Sequence, residues 1–202
     1  MPTQSTQSVG LSDSGSSYLA ILFLDLAHSS LLMGERETET IAFLNRCFEF
    51  FKEKAAQNDG EFIKETGDGA MLVFQSSAAA VNCAMQIQKS VGSLTGELGS
   101  LAAFRIGIHV GETIRRSGDV FGNAVNIAAR LETLANPGGI CISHDVYREN
   151  ENMPGISYQA LGRQHLKNIA EEVVAYLIVR QPDRSTSPGR RGVARRYWVR
   201  SK

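Results

Sequence analysis

Between residues 18 and 179 short apolar runs alternate with longer stretches in which apolar positions recur at helical spacing. Tyr18 to Asp25 (YLAILFLD) is apolar almost throughout and ends in a carboxylate, the pattern of a strand buried on both faces that delivers a residue at its end. From Ser30 to Gln57, Leu32, Ile41, Leu44, Phe48, Phe51 and Ala55 recur at helical spacing, and Asn58-Asp59-Gly60 stops the pattern. One long amphipathic helix is expected there. Glu61 to Glu65 and Ala70 to Phe74 flank Thr66-Gly67-Asp68-Gly69, which predicts a hairpin with Asp68 at its tip. A second helix is expected from the N-capping pair Ser76-Ser77 to about Val91.

Ala103 to Gly111 alternates: Phe104, Ile106, Ile108 and Val110 share one face, and Arg105, Gly107, His109 and Gly111 the other. That predicts a half-buried strand. Glu112 to Asp119 reads as a polar connection, Asn123 to Ala135 as a helix closed by Asn136-Pro137-Gly138-Gly139, and Ile140 to Ser143 as a short strand. Tyr158 to Leu166 and Val173 to Val179 read as closing strands joined through Lys167-Asn168. The order is βαββαβ followed by αβ, without long-range repeats, so a solenoid is excluded. One domain over residues 18–181 is expected, between a disordered tail at 1–17 and a basic tail at 182–202.

Composition narrows the function. Lys plus Arg and Asp plus Glu both number 21, so no overall field draws the chain to nucleic acid or an anionic membrane, and an anionic ligand must be held locally. Cys47, Cys83 and Cys141 lie far apart in apolar stretches and read as buried free thiols, which favours a reducing, cytoplasmic compartment. The first seventeen residues lack the basic start and apolar core of a secretory signal, and no later run reaches the roughly twenty apolar residues of a membrane helix. The chain is expected to be soluble. The Arg-rich segment Arg190 to Lys202, with Tyr197 and Trp198, reads as a solvated tail rather than a nucleic-acid or membrane contact.

Two carboxylates carry the first hint of chemistry. Asp25 ends a core strand and Asp68 tips the adjoining hairpin, an arrangement that suits Mg²⁺, a hard cation that takes oxygen ligands and shares them with substrate phosphates. Helix capping by Asp25 and turn support by Asp68 remain open as alternatives at this point. Asn126 and Arg130 are four apart, so on a helix they lie one turn from each other on one face and can address one ligand. His28, His144 and His165 have no spacing that suggests a shared metal, and His109 reads as a strand residue with a structural partner.

Five segments, LFLDLAHSSLLMG, FIKETGDGAMLVF, FRIGIHVGE, GDVFGNAVNIAARLE and LGRQHLKNIAEEVVAYLI, resemble the successive signature blocks of class III adenylate and guanylate cyclases, in the family's order. The resemblance implies an α+β fold, a ferredoxin-like βαββαβ core with additional C-terminal strands. It implies that Asp25 and Asp68, with the Leu26 backbone carbonyl, bind two divalent cations, Mg²⁺ or Mn²⁺. Lys64 and Asp119 match the pair that reads adenine, where an ammonium donates to ring N1 and a carboxylate accepts from the 6-amino group. Guanylate cyclases typically place Glu and Cys there, so ATP is the implied substrate. Asn126 is implied to orient the ribose, Arg130 to meet charge developing on the α-phosphate, and Lys167 to contact the terminal phosphates.

In that family the metal-binding and nucleotide-reading residues come from opposite protomers of a head-to-tail dimer. Because this chain carries both sets, a homodimer with two composite sites is implied. The implied reaction is in-line attack of the ribose 3′-oxygen on the α-phosphorus, which releases pyrophosphate and needs no protein nucleophile. Two rivals remain: a nucleotide-binding or dimerisation module without activity, and a metal-dependent nucleotidyl transferase, which explains the aspartates but not Lys64, Asn126 and Arg130. The family's glycine two residues after the first aspartate is Ala27 here, which puts the catalytic rate in question. No regulatory domain is recognisable, which leaves room for an unidentified regulatory partner.

Overall fold

A computed structural model describes residues 15–180. In chain order the elements are β1 (Ser16–Leu26), α1 (Ser29–Glu35), α2 (Glu37–Gln57), β2 (Gly60–Glu65), β3 (Gly69–Phe74), α3 (Ser77–Ser90), β4 (Phe104–Arg116), β5 (Asp119–Phe121), α4 (Asn123–Leu134), β6 (Ile140–Ser143), α5 (His144–Asn150), β7 (Ile156–Gln164) and β8 (Val173–Arg180). One sheet orders them β2-β3-β1-β4-β6-β8-β7, with β5 paired to β4. The first four strands stand in the ferredoxin-like order, and the later strands extend the sheet from β4, so the expected α+β architecture is the one observed. Among the described residues no helix is long and apolar enough to cross a membrane.

The apolar run of β1 is explained by its central place. Ala20, Leu22, Leu24 and Leu26 point to the cluster under α2 and α3, together with Phe43, Phe51 and Phe104. Leu19 and Ile21 point the other way and pack with Met71, Val73, Ala124 and Ala128 under α4. From Leu19 to Leu24, where helices cover both faces, the strand carries no polar residue, and Asp25 follows directly.

Several sequence expectations change. The first strand starts at Ser16, so Ser16 and Ser17 are not tail; residues 1–14 and 181–202, which include Arg190 to Lys202, lie outside the described residues. The long helix is broken at Arg36, whose φ of −145° and ψ of 55° are not helical. Gly34 is a weak helix former beside the break, and Thr40 secures the new start by donating its hydroxyl to the Arg36 carbonyl at 2.7 Å. The polar stretch Glu112 to Asp119 is a hairpin: β4 runs on to Arg116 and β5 folds back on it. Apolar periodicity does not show this, because exposed hairpins carry little of it. Helix α5 leaves no trace in the pattern for the same reason; only Val146 and Asn150 of its seven residues are buried.

The strand expected to be half buried is covered on both faces, since α4 lies on the Arg105, Gly107, His109 face. Glycine makes this possible: a Cβ at Gly107 would come 2.2 Å from the Glu132 nitrogen and 2.3 Å from the Ala128 oxygen. On the same face His109 is buried, its Nδ1 is 2.8 Å from the Ser143 hydroxyl, and burial lowers its pKa to about 4. The structural role expected of His109 fits this surrounding. Cys47, Cys83 and Cys141 are free and buried, and burial pushes each thiol up to about 12, which leaves them inert at neutral pH.

The contact of α4 with β4 can be tested through stability. Gly107→Ala forces α4 away from β4 and is expected to lower the unfolding free energy by about 1–3 kcal/mol, read from the urea midpoint at constant slope. His109 binds its proton less readily folded (about 4) than unfolded (6.5), so its stabilising contribution is present above 6.5 and lost as pH falls toward 4. Urea midpoints measured across that window should fall less steeply for His109→Gln than for the unsubstituted chain.

Candidate active site

The two aspartates of the sequence reading converge at one end of β1. Asp25 is the register partner of Gly69 on β3 and of Arg105 on β4. The turn carrying Asp68 is closed by Thr66 N–H on the Gly69 carbonyl at 2.8 Å and tied to β1 by Leu26 N–H on the Asp68 carbonyl at 3.3 Å. Gly69 lets the hairpin come this close, because a Cβ there would sit 2.2 Å from the Leu24 carbonyl oxygen. Leu26, whose carbonyl the family resemblance makes a ligand, thus adjoins Asp25 in the chain and is hydrogen-bonded to the main chain of Asp68.

Burial, then the negative charge of Asp68, raise the pKa of Asp25, and its hydrogen bond with Asp68 works in the same direction. Opposing them, Arg105 Nη2 donates to Asp25 Oδ2 at 2.8 Å. The Arg105 Nε also lies 2.9 Å from Glu132 Oε1, close enough for an ion pair but off the line of a hydrogen bond. Burial pushes Glu132 up to about 7 despite Arg105, with Asp25 and Asp68 adding to the rise. Net negative charge therefore collects at the strand end and is only partly offset.

That donor set fits a divalent cation of the Mg²⁺ type: two oxygen ligands from carboxylates that repel each other, with a main-chain carbonyl nearby. Among the described residues no group of three or more His, Cys, Asp or Glu side chains is arranged to hold a metal, so further ligands would be substrate or water oxygens rather than a closed protein cage.

Lys64 on β2 and Asp119 on β5 are also brought together, with Nζ 2.5 Å from Oδ2. A backbone bond from Val120 N–H to Asp119 Oδ1 at 2.8 Å orients the carboxylate. Burial alone would raise Asp119, but Lys64 and the Val120 amide outweigh it and hold the group below its usual value. Phe121 lies beside the pair, with Lys64 Nζ 5.8 Å from its ring centroid. Both side chains remain partly open to solvent and can reach a ligand.

Asn126 and Arg130 lie one turn apart on α4, away from the buried positions Ala124, Ala128 and Leu131. Lys167 is exposed in the connection between β7 and β8, just after buried Leu166. Among the described residues no hydrogen bond or ion pair joins Asn126, Arg130 or Lys167 to either of the two pairs. The sequence reading does not single out Arg105 and Glu132 as site residues. Arg105 stands in register with Asp25 between buried Phe104 and Ile106, and its link to Glu132 becomes legible only once α4 is known to cover that face.

A protein-family model, described as the adenylate and guanylate cyclase catalytic domain, matches residues 13–180. The chain is 33% identical over 158 residues, 76% of its length, to "Putative adenylate cyclase 3" of Rhizobium meliloti. It is 28% identical over 131 residues, 63% of its length, to a pH-sensitive adenylate cyclase of Mycobacterium tuberculosis. It spans 27% and 32% of those two relatives, so it corresponds to only part of each. Among solved structures, the adenylate/guanylate cyclase/hydrolase of Silicibacter pomeroyi superposes with a TM-score of 0.76 at 33% identity, over 83% of this chain and 99% of that one. The adenylyl cyclase CyaB of P. aeruginosa superposes at 0.74 with 22% identity, over 84% and 97%, which bears on the fold. With its sheet order, its converging aspartates and the family match over residues 13–180, the chain belongs to the adenylate and guanylate cyclase catalytic domain family.

Proposed function

We propose that this chain converts ATP to 3′,5′-cyclic AMP and pyrophosphate at two equivalent sites of a head-to-tail homodimer. The observation that carries the choice of ATP is the pairing of Lys64 with Asp119. Adenine presents its N1 acceptor and its 6-amino donor side by side on one edge, so the groups that read it must be an adjacent donor and acceptor. Lys64 and Asp119 are such a pair. Guanine presents a donor and an acceptor in the reverse order and would leave both groups mismatched.

Asp25 and Asp68, with the Leu26 carbonyl, hold divalent cations, Mg²⁺ or Mn²⁺. Such cations supply charge for phosphoryl transfer and acidify a bound hydroxyl. Lys64 and Asp119 fix the base, Asn126 orients the ribose, and Arg130 meets the negative charge that builds on the α-phosphate as the ribose 3′-oxygen attacks. Lys167 holds the terminal phosphates that leave as pyrophosphate. The nucleophile belongs to the substrate, and the site requires none from the protein.

Two observations support sharing of the site between copies. Among the described residues of one chain nothing links Asn126 and Arg130 to the acidic pair, and apolar Ile114 and Phe121, register partners beside Asp119, are 57% and 48% exposed. A partner copy supplies both the missing residues and the cover. The buried free thiols suit a reducing, cytoplasmic compartment. One feature favours a slower enzyme or a binding module: the Ala27 N–H is already taken by the Ala103 carbonyl at 2.8 Å, so the loop after Asp25 has one amide fewer for phosphate.

Complementation tests the shared site. Asp25→Ala and Arg130→Ala are each expected to lower turnover roughly 100-fold or more. Mixed at equal amounts and allowed to exchange subunits, they should recover about a quarter of the wild-type sites, because half of the dimers are mixed and each has one intact site. Verified heterodimers without recovered activity would contradict the reading.

A further inference from the structure

Three charged groups form a line from the acidic pair into α4. Arg105 donates to Asp25 at 2.8 Å on one side and approaches Glu132 to 2.9 Å on the other. Glu132 is only 6% exposed, in a place where a carboxylate is tolerated because a cation stands beside it. Its backbone is fixed as well, since the close approach of Gly107 to the Ala128 oxygen and the Glu132 nitrogen leaves α4 no freedom to slide along β4. A guanidinium offers five N–H donors and one charge. Shared between two carboxylates, that charge neutralises neither.

We propose that Glu132 is a positioning residue for the cation site, acting through Arg105. By holding the guanidinium back it keeps Asp25 oriented by a hydrogen bond on one oxygen while leaving its negative charge available to a divalent ion. Without the Glu132 charge, Arg105 belongs to Asp25 alone and competes with the ion for it. This rests on the reading of Asp25 and Asp68 as cation ligands, and it adds a determinant of their affinity located on the helix that also carries Asn126 and Arg130.

The test is Mn²⁺ binding to the purified chain at mildly alkaline pH, where Glu132 is ionised, followed through the electron paramagnetic resonance signal of the free ion. Thermal melting confirms that each variant is folded. Glu132→Gln is expected to weaken Mn²⁺ binding roughly tenfold or more, as outer-shell partners of metal ligands do. The double variant Arg105→Gln/Glu132→Gln, which removes both charges of the buried pair, should regain most of that loss. If Glu132→Gln does not fold, Glu132→Asp keeps the charge but draws it away from Arg105 and should show the same effect, smaller. A folded Glu132→Gln chain that binds Mn²⁺ as tightly as the wild type, or a double variant no better than the single one, overturns the proposal. Asp25→Asn separates the two ideas: if it too leaves Mn²⁺ binding unchanged, the cation reading has failed, whereas its loss beside an unaffected Glu132→Gln condemns the role of Glu132 alone.

Discussion

The site depends on the register in which β1 pairs with β3 on one side and β4 on the other. That single alignment sets Asp25 opposite Gly69, next to the turn that carries Asp68, and opposite Arg105. A slip of one residue would turn Asp25 into the α2 and α3 core and carry Leu24 and Leu26 to the side where Arg105 and Glu132 stand, which the apolar faces of the sheet forbid. The hydrophobic effect thus positions the charges indirectly. Burial of Leu19 and Ile21 on one face and of Ala20, Leu22 and Leu24 on the other leaves no room for a carboxylate in the middle of β1, and Asp25 stands beyond that stretch, toward the strand's C-terminal end.

Charge is then managed locally, because the chain as a whole has none to spare: its acidic and basic residues are equal in number. Arg105 partly offsets Asp25, Glu132 partly offsets Arg105, and the pair that remains, Asp25 with Asp68, is short of positive charge. Such a deficit of positive charge beside two carboxylate oxygens suits a hard divalent cation. Lys64 and Asp119 balance each other instead, in a position that stays partly open to solvent.

Much of this is legible in the sequence, and the reasons differ by element. β1 announces itself by a continuous apolar run, the β2–β3 hairpin by its Gly-containing turn, and α3 by its N-capping serines and the apolar positions that follow them. Asp25, Asp68, Lys64, Asp119, Asn126 and Arg130 stand out through ordered motif blocks; the structure brings the first four together in two pairs and sets the last two on one helical face. What the pattern does not reveal is decided by tertiary contact. The cover of α4 over β4 depends on the missing Cβ of Gly107, and the Arg105–Glu132 contact depends on that cover. The break at Arg36 depends on backbone angles at one residue, to which a pattern spanning several turns is blind.

If the edge formed by Lys64 and Asp119 selects adenine at a site where Asp25 and Asp68 support cyclisation, the products reveal it. The most direct measurement is chromatographic analysis of what the purified chain forms from ATP and, separately, from GTP, with Mn²⁺ or Mg²⁺ present. Cyclic AMP from ATP, without a cyclic product from GTP, is the predicted result. Cyclic GMP from GTP in preference would contradict the reading of Lys64 and Asp119, and no product from either nucleotide with either ion would contradict the assignment of an active catalytic site.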